Sequence, residues 1–290
     1  MSFFTLAELP DLAPEVKLGV IGNPIAHSKS PQMQQAALDA DELPHRYVRL
    51  LAGTGEGEFE ALVAELEQRN FIGLNVTVPF KKKALALAHS ADPLATLSGA
   101  ANTLRRHPDG GWTAINTDGP GFHTAIRELS QRSLNELNIV MLGACGGAGS
   151  ALAAQCVLSD CPSLTLVNRP RPELEQLATK LAPHHKGKLH TCHFGTEELQ
   201  AAIAQAHLVV NATSLGLKEG DPLPLPPEWL RPGQIVYDIV THDTPLRRAA
   251  AEQGCLTDNG LAMLLWQGAY AYNYWFGHLP NINSMRAALS

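Results

Sequence analysis

The first part of the chain alternates between two hydrophobic periods. Short apolar runs predict β-strands at residues 17–22 (KLGVIG), 45–51 (HRYVRLL) and 73–79 (GLNVTVP). Helical spacing predicts helices at residues 30–40 (SPQMQQAALDA) and 57–70 (GEFEALVAELEQRN), the first with Ser30 as N-cap and Pro31 at its first position. Strands that alternate with helices predict an α/β fold with a mostly parallel sheet.

A second α/β pattern starts near Asn138. Strands are predicted at residues 138–142 (NIVML), 163–168 (SLTLVN), 206–212 (AHLVVNA) and 234–240 (QIVYDIV). Segment 261–277 (LAMLLWQGAYAYNYWFG) is helical and apolar on most faces, so we expect it to be buried against the first domain. We therefore predict domains at 1–117 and 118–256 and a C-terminal helical segment at 257–290, with the joint near residues 117–122.

Composition and charge narrow the class of protein. The 290 residues are 45% hydrophobic and 17% charged, with a net charge of −6. No basic block is present, which argues against nucleic acid as a partner. The uncharged run 137–159 is too rich in glycine for a membrane span, and the first 17 residues lack the positive start of a secretory signal. We expect neither a membrane segment nor a signal.

The stretch NVTVPFKKKALALA (75–88) contains three consecutive lysines. Pro79 is expected in the first turn of a helix, where its missing N–H costs nothing. Helical spacing then puts Lys81 on the apolar face with Ala84, and Lys82 on the opposite side. A cation near a helix N-terminus opposes the macrodipole. Lys81 is therefore either a chemical group or a side chain that extends along apolar surface to reach water.

A glycine-rich turn joins the strand at 138–142 to the next helix. A strand, a turn of this type and a helix form a site for a pyrophosphate, with the strict pattern G-x-G-x-x-G/A. Here the turn consists of Gly143, Ala144, Cys145, Gly146, Gly147 and Ala148. Either Cys145 replaces the middle glycine or the turn carries one extra residue. A small-residue turn without a ligand is the alternative interpretation.

The next strand ends in VNRPRPE, which bears on the choice of cofactor. Enzymes that bind NAD usually have an acidic residue there, whereas arginine accommodates the 2′-phosphate of NADP. Arg169 and Arg171 follow the strand directly, and no acid does. The pattern favours NADP, unless both arginines are merely exposed loop residues.

Small polar residues follow several predicted strands of the first domain. They are Ser28, Ser30, Asn75, Thr77, Asn102, Asn116 and Asp118. Loops at the carboxyl ends of parallel strands gather at one edge of a sheet. Mostly neutral polar groups there suit a small polyhydroxylated ligand, although each residue alone could be a cap or turn residue.

The five cysteines are odd in number and form no CxxC, which fits reduced thiols in a cytoplasm. His190 and Cys192 share one side of a possible strand. No second ligand cluster has metal spacing, so we predict no metal site.

Taken together, these motifs resemble those of the shikimate dehydrogenase family. The motifs that carry the resemblance are GNPIAHSKSP, NVTVPFK, GAANT, NTDGPGF, NATSLG, YDIV followed by TPL, and GLAMLLWQGA, in the family's order. They cover nearly the whole chain after Lys17. The resemblance implies reversible reduction of 3-dehydroshikimate to shikimate with NADP in aromatic amino-acid biosynthesis. It also implies an N-terminal substrate domain and a Rossmann domain. We expect a cytoplasmic protein that is a monomer or homodimer.

The resemblance also implies roles for individual residues. Lys81 and Asp118 would be the catalytic pair, with the Lys81 ammonium stabilising negative charge on the ketone oxygen and donating the proton. Ser28 and Ser30 would hold the substrate carboxylate. The ring hydroxyls would be held by Thr77, Asn102, Asp118 and Gln267. The cofactor would be lined by the glycine turn and by Asn168, Arg169, Thr213, Ile239 and Gly260, with Arg171 as a second basic residue.

Two departures from the family pattern concern specificity. The family usually has a substrate-contacting tyrosine four residues after the tyrosine of YD, where this chain has Thr241. Its second basic residue usually comes later, at the position that Glu173 occupies here. Thr241 puts the choice of substrate in doubt more than the type of reaction.

Three alternative functions remain open. A quinate or quinate/shikimate dehydrogenase using NAD is the nearest, although Ser28 and Ser30 favour shikimate and Arg169 favours NADP. A methylene-tetrahydrofolate dehydrogenase would have a tyrosine four residues before the lysine, where this chain has Thr77. The retention of Lys81 and Asp118 argues against a non-catalytic, nucleotide-sensing regulator.

Overall fold

The computed structural model describes residues 3–289, which form two compact units. One unit comprises Met1–Thr117 together with Leu265–Ser290, and the other comprises Asp118–Leu264. Each unit contains one six-stranded sheet with helices packed on it. The α/β fold predicted from the alternation of strands and helices is confirmed.

The described part of the first unit before residue 118 contains six strands and four α-helices, after a short 3-10 helix at Leu6–Asp11. They are β1 Val16–Gly22, α1 Ser30–Ala40, β2 Arg46–Leu51, α2 Glu58–Gln68, β3 Gly73–Val76, α3 Lys81–Leu87, β4 Ser90–Ala91, α4 Pro93–Ser98, β5 Thr103–Arg106 and β6 Trp112–Ile115. The strand order is β2-β1-β3-β5-β6-β4. Strands β2, β1 and β3 are parallel, as predicted, but β5 is antiparallel to both β3 and β6.

The antiparallel part of this sheet is a hairpin that the hydrophobic pattern did not predict. Strands β5 and β6 are joined by residues 107–111, and the His107 N–H donates to the Gly111 carbonyl at 2.9 Å. Gly110 and Gly111 have φ angles of 95° and 71°, a region that glycine enters without strain. The sequence PDGG at 108–111 is therefore the signal of the tight turn.

Two helix starts differ from the expected positions. Helix α1 begins at Ser30 with Lys29 as N-cap, so Ser30 is its first helical residue and not its cap. Helix α3 begins at Lys81 with Phe80 as N-cap, so Pro79 lies in the preceding turn. Phe80 is buried and its ring stacks on Phe59 at 4.9 Å between centroids, which anchors the start of α3 to the core of the unit.

The second unit is a parallel sheet with helices between its strands. Its elements are α5 Asp118–Ser130, β7 Asn138–Leu142, α6 Gly149–Leu158, β8 Ser163–Asn168, α7 Pro172–Leu181, β9 Lys188–His193, α8 Glu197–Gln205, β10 Leu208–Asn211, β11 Ile235–Asp238, α9 Pro245–Glu252 and β12 Leu256–Asp258. The order β12-β11-β10-β7-β8-β9 corresponds to 6-5-4-1-2-3 in chain order. This is the Rossmann order, in which ligands bind at the carboxyl ends of the strands beside the central switch point.

The C-terminal segment divides between the two units. Strand β12 pairs with β11 in the second sheet, whereas the residues from Leu265 onward cluster with the first unit. Two helices complete the chain, α10 Leu261–Phe276 and α11 Ile282–Ala287. The Trp275 indole N–H donates to the Leu104 carbonyl at 2.9 Å, and a Cβ on Gly73 would lie 2.0 Å from that indole. Glycine at 73 thus lets α10 pack directly on β3.

Candidate functional site

The polar residues predicted in the first unit lie at one end of neighbouring strands, since the start of antiparallel β5 lies beside the end of β3. Ser28 lies in the turn after β1, Thr77 follows β3, and Asn102 immediately precedes β5. The Asn23 N–H donates to the Val78 carbonyl at 3.0 Å, which joins the turns after β1 and β3. A Cβ on Gly22 would lie 2.4 Å from the Thr77 methyl group, so the close approach of these turns requires glycine at 22.

Backbone hydrogen bonds bring Lys81, Thr77 and Asn102 into one patch. The Val76 N–H donates to the Asn102 carbonyl at 2.8 Å, and the Ala101 N–H donates to the Lys81 carbonyl at 3.0 Å. Lys81 is half-buried at the start of α3 while Lys82 is exposed, as helical spacing predicts. Lys83 forms a surface ion pair with Glu60 at 3.3 Å. Of the three lysines, Lys81 is therefore the one that is both half-buried and bonded through its backbone to the polar patch.

Asn102 and Gln267 form a buried pair of amides. Only 3% of Asn102 and 9% of Gln267 is exposed, and the Asn102 Nδ2 donates to Gln267 Oε1 at 3.5 Å. The Asn102 Oδ1 accepts the Thr117 N–H at 2.8 Å, and its Nδ2 also donates to Thr117 Oγ1 at 2.9 Å. These bonds fix which way the Asn102 amide faces. We call Ser28, Ser30, Thr77, Lys81, Asn102 and Gln267 the polar cluster.

A second layer of buried polar groups lies beneath the amide pair. The Tyr47 hydroxyl donates to Asn75 Oδ1 at 2.7 Å, and Asn75 Nδ2 donates to Thr103 Oγ1 at 3.1 Å. The Thr103 hydroxyl in turn donates to Asn102 Oδ1 at 3.0 Å. Asn75, which the sequence grouped with the ligand-facing residues, thus serves to support Asn102. Asn116 also bonds internally, since its Nδ2 donates to the Ala100 carbonyl at 2.8 Å.

Ser28 and Ser30 are held together at the start of α1. The Ser30 N–H donates to Ser28 Oγ at 3.3 Å, so the Ser28 hydroxyl satisfies a backbone donor at this end of the helix. Ser30 is buried and Ser28 is half-buried. The Ser28 carbonyl accepts from the Arg49 guanidinium of β2, a residue that the sequence did not single out.

Asp118 belongs to the second unit. It is the first residue of α5 and only 6% of it is exposed. Its neighbour Thr117 ends the N-terminal segment of the first unit. Asp118 is therefore a buried carboxylate at the start of the second unit.

The glycine turn carries one extra residue between β7 and α6. Gly143 has a φ of 81°, and a Cβ there would lie 2.9 Å from the backbone of Ala212. A Cβ on Gly149 would lie 2.3 Å from the Gly143 carbonyl oxygen, so Gly149 is the glycine that lets α6 pack closely on the strand end. Gly143 and Gly149 bound seven residues, whereas the strict pattern has six. Gly149 was not among the predicted site residues.

The residues after β8 occupy the position expected for a ribose-binding segment. Asn168 is the buried last residue of β8, and its carbonyl accepts from His193 Nδ1 at 3.1 Å. Arg169 and Arg171 are both exposed, with Arg171 as N-cap of α7. Because β8 lies beside β7, these guanidinium groups follow the strand next to the glycine turn.

The other predicted cofactor residues form two contacts. A Cβ on Gly143 would lie 2.9 Å from the Thr213 methyl group, so Thr213 lies against the glycine turn. A Cβ on Gly260 would lie 2.0 Å from the Ile239 carbonyl oxygen, and the Gly260 N–H donates to the Val240 carbonyl at 2.9 Å. The pairs Gly143–Thr213 and Ile239–Gly260 both lie beyond carboxyl ends of strands.

A buried carboxylate organises the loop after β11. Asp238 accepts from Asn211 Nδ2 at 3.1 Å, from the Val240 N–H at 3.1 Å and from Thr244 Oγ1 at 2.7 Å. Burial raises the pKa of the Asp238 carboxyl above its ordinary value, although the three donors oppose this. Thr241 lies half-buried in the same loop. Asp238 therefore shapes the segment that includes Ile239 and Thr241.

The chemistry of the donor set fits a dinucleotide. Gly143 and Gly149 form a tight turn at the N-terminus of α6, in which a side chain at either position would collide with backbone atoms. The backbone N–H groups at a helix N-terminus suit a pyrophosphate. Among residues 3–289, no three His, Cys, Asp or Glu side chains are grouped so that they could hold a metal ion. No helix in the described part of the chain is long and apolar enough to cross a membrane.

Comparisons with known proteins identify relatives over almost the full chain. The model of the shikimate dehydrogenase substrate binding domain matches residues 20–104, and that of the shikimate 5'-dehydrogenase C-terminal domain matches residues 260–289. Shikimate dehydrogenase (NADP(+)) of Rubrobacter xylanophilus is 38% identical over 276 residues, which cover 94% of this chain and 95% of that protein.

Solved structures with the same fold include two that were determined with ligands bound. Shikimate 5-dehydrogenase of Listeria monocytogenes, in complex with shikimate and NAD, is 31% identical with a TM-score of 0.86, covering 96% of this chain and 98% of that one. The Thermus thermophilus enzyme, in complex with NADP(H) and shikimate, is 32% identical with a TM-score of 0.81, covering 94% and 98%.

Proposed function

Because this chain belongs to the shikimate dehydrogenase family, we propose that it catalyses the reversible reduction of 3-dehydroshikimate to shikimate with NADP, in aromatic amino-acid biosynthesis. The observation that carries the proposal is the buried amide pair Asn102–Gln267 beside Thr77 and Lys81. Buried amides whose orientation is fixed by other hydrogen bonds suit a ligand with several hydroxyl groups.

The polar cluster is proposed to bind both ends of the substrate. Ser28 and Ser30, held together at the start of α1, would donate hydrogen bonds to the carboxylate. Thr77, Asn102 and Gln267 would bind the ring hydroxyls, together with Asp118. The family relationship supports these roles, and the shared patch of Thr77, Lys81 and Asn102 supports them geometrically.

Lys81 is proposed to donate the proton to the ketone oxygen, paired with Asp118. Reduction of a ketone develops negative charge on oxygen, and a positioned ammonium group stabilises that charge and delivers a proton. The half-buried position of Lys81 beside the amide pair supports this role. NADP supplies the hydride when bound, so the protein itself has to supply only geometry and the proton.

Cofactor binding is assigned to the second unit. The extended glycine turn would hold the pyrophosphate through Gly143, Ala144, Gly146, Gly147 and Ala148. Arg169 and Arg171 would pair with the 2′-phosphate, and Asn168, Thr213, Ile239 and Gly260 would line the remainder. The relatives were solved with NAD in one case and with NADP(H) in the other, so the two cofactors have to be compared directly.

The test is an assay of nicotinamide reduction with shikimate or quinate as substrate and NADP or NAD as cofactor. We expect the highest kcat/KM with shikimate and NADP. Higher kcat/KM with quinate and NAD would favour the quinate dehydrogenase alternative, and no turnover with any pair would refute an enzymatic role.

Lys81→Ala should lower kcat by about 100-fold or more, the usual effect of losing an acid–base group. Lys82→Ala is the matched control because Lys82 belongs to the same helix turn and is exposed. Near-normal kcat in Lys81→Ala would exclude the proposed proton donor.

We also propose that the protein is cytoplasmic and is a monomer or homodimer without nucleic-acid partners. Its five cysteines are free thiols, which supports a reducing compartment.

A further inference from the structure

Strand β2 contributes two buried polar side chains to one face of the first sheet. Tyr47 and Arg49 are two residues apart, so they point to the same side of the strand. Only 5% of Tyr47 and 9% of Arg49 is exposed. Buried arginine is rare, because removing a guanidinium from water is costly unless it gains hydrogen bonds.

Arg49 donates two hydrogen bonds to the backbone of Ser28. Its Nε and Nη2 both donate to the Ser28 carbonyl oxygen, at 3.1 and 2.5 Å. The Ser28 N–H donates to the Ile25 carbonyl at 3.0 Å, and the Ser28 hydroxyl accepts from the Ser30 N–H at 3.3 Å. Ser28 is thus held at its amide, carbonyl and hydroxyl, and Arg49 makes the only one of these three contacts that comes from outside residues 25–30.

The guanidinium also places a positive charge at the Ser28 carbonyl. Burial lowers the pKa of Arg49 below its ordinary value, but arginine remains protonated at any pH that proteins tolerate. A cation that is partly removed from water interacts more strongly with nearby charges than an exposed one. The turn at residues 25–30 therefore carries Ser28 and Ser30 together with a fixed positive charge at the Ser28 carbonyl, an arrangement that favours an anion.

We propose that Arg49 is a positioning residue for the substrate carboxylate, acting through Ser28. The inference rests on the proposed function, in which Ser28 and Ser30 bind that carboxylate. Arg49 holds the Ser28 backbone so that its hydroxyl faces the ligand, and its charge favours the ionised acid. Substrates without a charged carboxylate therefore gain little from Arg49.

Tyr47 provides a control within the same strand. It lies on the same face as Arg49, but its hydroxyl bonds Asn75, which supports Asn102 at the hydroxyl-binding end of the polar cluster. Loss of the Tyr47 hydroxyl should therefore affect substrates with and without a carboxylate alike.

The experiment compares shikimate with its neutral methyl ester in wild type, Arg49→Met, Arg49→Lys and Tyr47→Phe. For Arg49→Met we expect kcat/KM with shikimate to fall by about 10-fold or more, chiefly through KM, which is the scale of a lost hydrogen bond from a charged group. The loss with the methyl ester should be about threefold or less. Arg49→Lys keeps the charge but cannot donate both hydrogen bonds to the Ser28 carbonyl. Its kcat/KM with shikimate should therefore lie between those of wild type and Arg49→Met.

Equal losses on acid and ester in both Arg49 variants would overturn the proposal, as would no loss on the acid. If Arg49→Met does not fold, Arg49→Lys alone still decides between these outcomes. Tyr47→Phe should reduce kcat/KM for the two substrates by the same factor. If Tyr47→Phe lowered kcat/KM for shikimate but not for its methyl ester, Tyr47 would also act on the carboxylate. This result would contradict separate roles for Arg49 at the carboxylate and Tyr47 at the ring hydroxyls.

A double substitution tests whether Arg49 acts through Ser28. In a Ser28→Ala background, Arg49→Lys should cost much less with shikimate than it does in wild type, because the hydroxyl that Arg49 positions is already absent. Fully additive losses would refute the route through Ser28. Failure of the proposed function itself would be visible separately, as wild type that does not turn over shikimate with NADP.

Discussion

Substitution of Gly149 by alanine tests the extended glycine turn. A Cβ at this position would lie 2.3 Å from the Gly143 carbonyl oxygen and 3.0 Å from the Ala144 Cα. Both neighbours are backbone atoms, so no side chain can rotate away and the turn itself has to move. Ordinary carbon–oxygen contacts are longer by roughly 1 Å, and overpacking of this kind costs about 1–3 kcal/mol.

The expected result has two parts. The melting temperature of Gly149→Ala should fall by about 2–12 °C, taking about 2–4 °C per kcal/mol for a domain of this size. The KM for NADP should rise by about 10-fold or more, because displacement of the turn misplaces the backbone groups that hold the pyrophosphate. The KM for shikimate should change much less, since the polar cluster lies in the other unit.

Gly146→Ala is the matched control in the same turn. Its Cβ would lie 3.4 Å from the Gly143 carbonyl oxygen, which is an ordinary contact, and Gly146 is exposed. Gly146→Ala should therefore melt close to wild type, even if an added methyl group hinders the cofactor. A Gly149→Ala protein with wild-type melting temperature and wild-type KM for NADP would refute our assignment of Gly149 as the close-packing glycine.

Three further predictions concern the cofactor, the substrate and the pH dependence of stability. Arg169→Ala should lower the ratio of kcat/KM for NADP over NAD by about 10-fold or more, the scale of a charged hydrogen bond to phosphate, and Arg171→Ala less. Thr241→Tyr should lower the KM for shikimate by about 10-fold, by adding a hydrogen bond that threonine is too short to make, without a gain for quinate. His278→Gln should reduce the melting temperature more at pH 6 than at pH 9, because the hydrogen bond from His278 Nε2 to Asp41 Oδ2 at 2.8 Å raises the pKa of the imidazole.

The pH range in which His278 and Asp41 stabilise the folded protein follows from the pKa shifts of both groups. The raised pKa of His278 contributes stability that is complete below its unfolded value near 6.5 and is lost as the pH rises through the folded pKa. Hydrogen bonds from Tyr272 and His278 lower the pKa of Asp41, so its contribution is present above about 3.8 and is lost only in stronger acid. The pair therefore stabilises the first unit most between about pH 4 and 6.5.

Each of these predictions can fail on its own. An unchanged cofactor ratio in Arg169→Ala would mean that other groups hold the 2′-phosphate. An equal or higher KM for shikimate in Thr241→Tyr would mean that Thr241 does not replace a missing contact. The same loss of melting temperature at pH 6 and pH 9 in His278→Gln would exclude a charged imidazole as the stabilising form.

The sequence alone was sufficient to predict the helices and strands that have a clear hydrophobic periodicity or are bounded by a clear turn motif. The run 138–142 followed by a glycine turn and an apolar helix predicted β7 and α6. The family motifs supplied all six residues of the polar cluster as predictions. Helical spacing also distinguished Lys81 from Lys82, because the face of a helix on which a residue lies depends only on its distance from the apolar positions. Local pattern was less exact at helix starts, where Ser30 and Pro79 each lie one or more places from their expected positions.

Tertiary structure decided which side chains meet. Arg49 and Ser28 are 21 residues apart, Tyr47 and Asn75 are 28 apart, and Asn102 and Gln267 are 165 apart. A hydrophobic period assigns a residue to the inside of its element but says nothing about its partner across the sheet, since that depends on strand order and register. The sequence also left open whether the glycine turn carries an extra residue, and the close contact of Gly149 with the Gly143 carbonyl decided that it does.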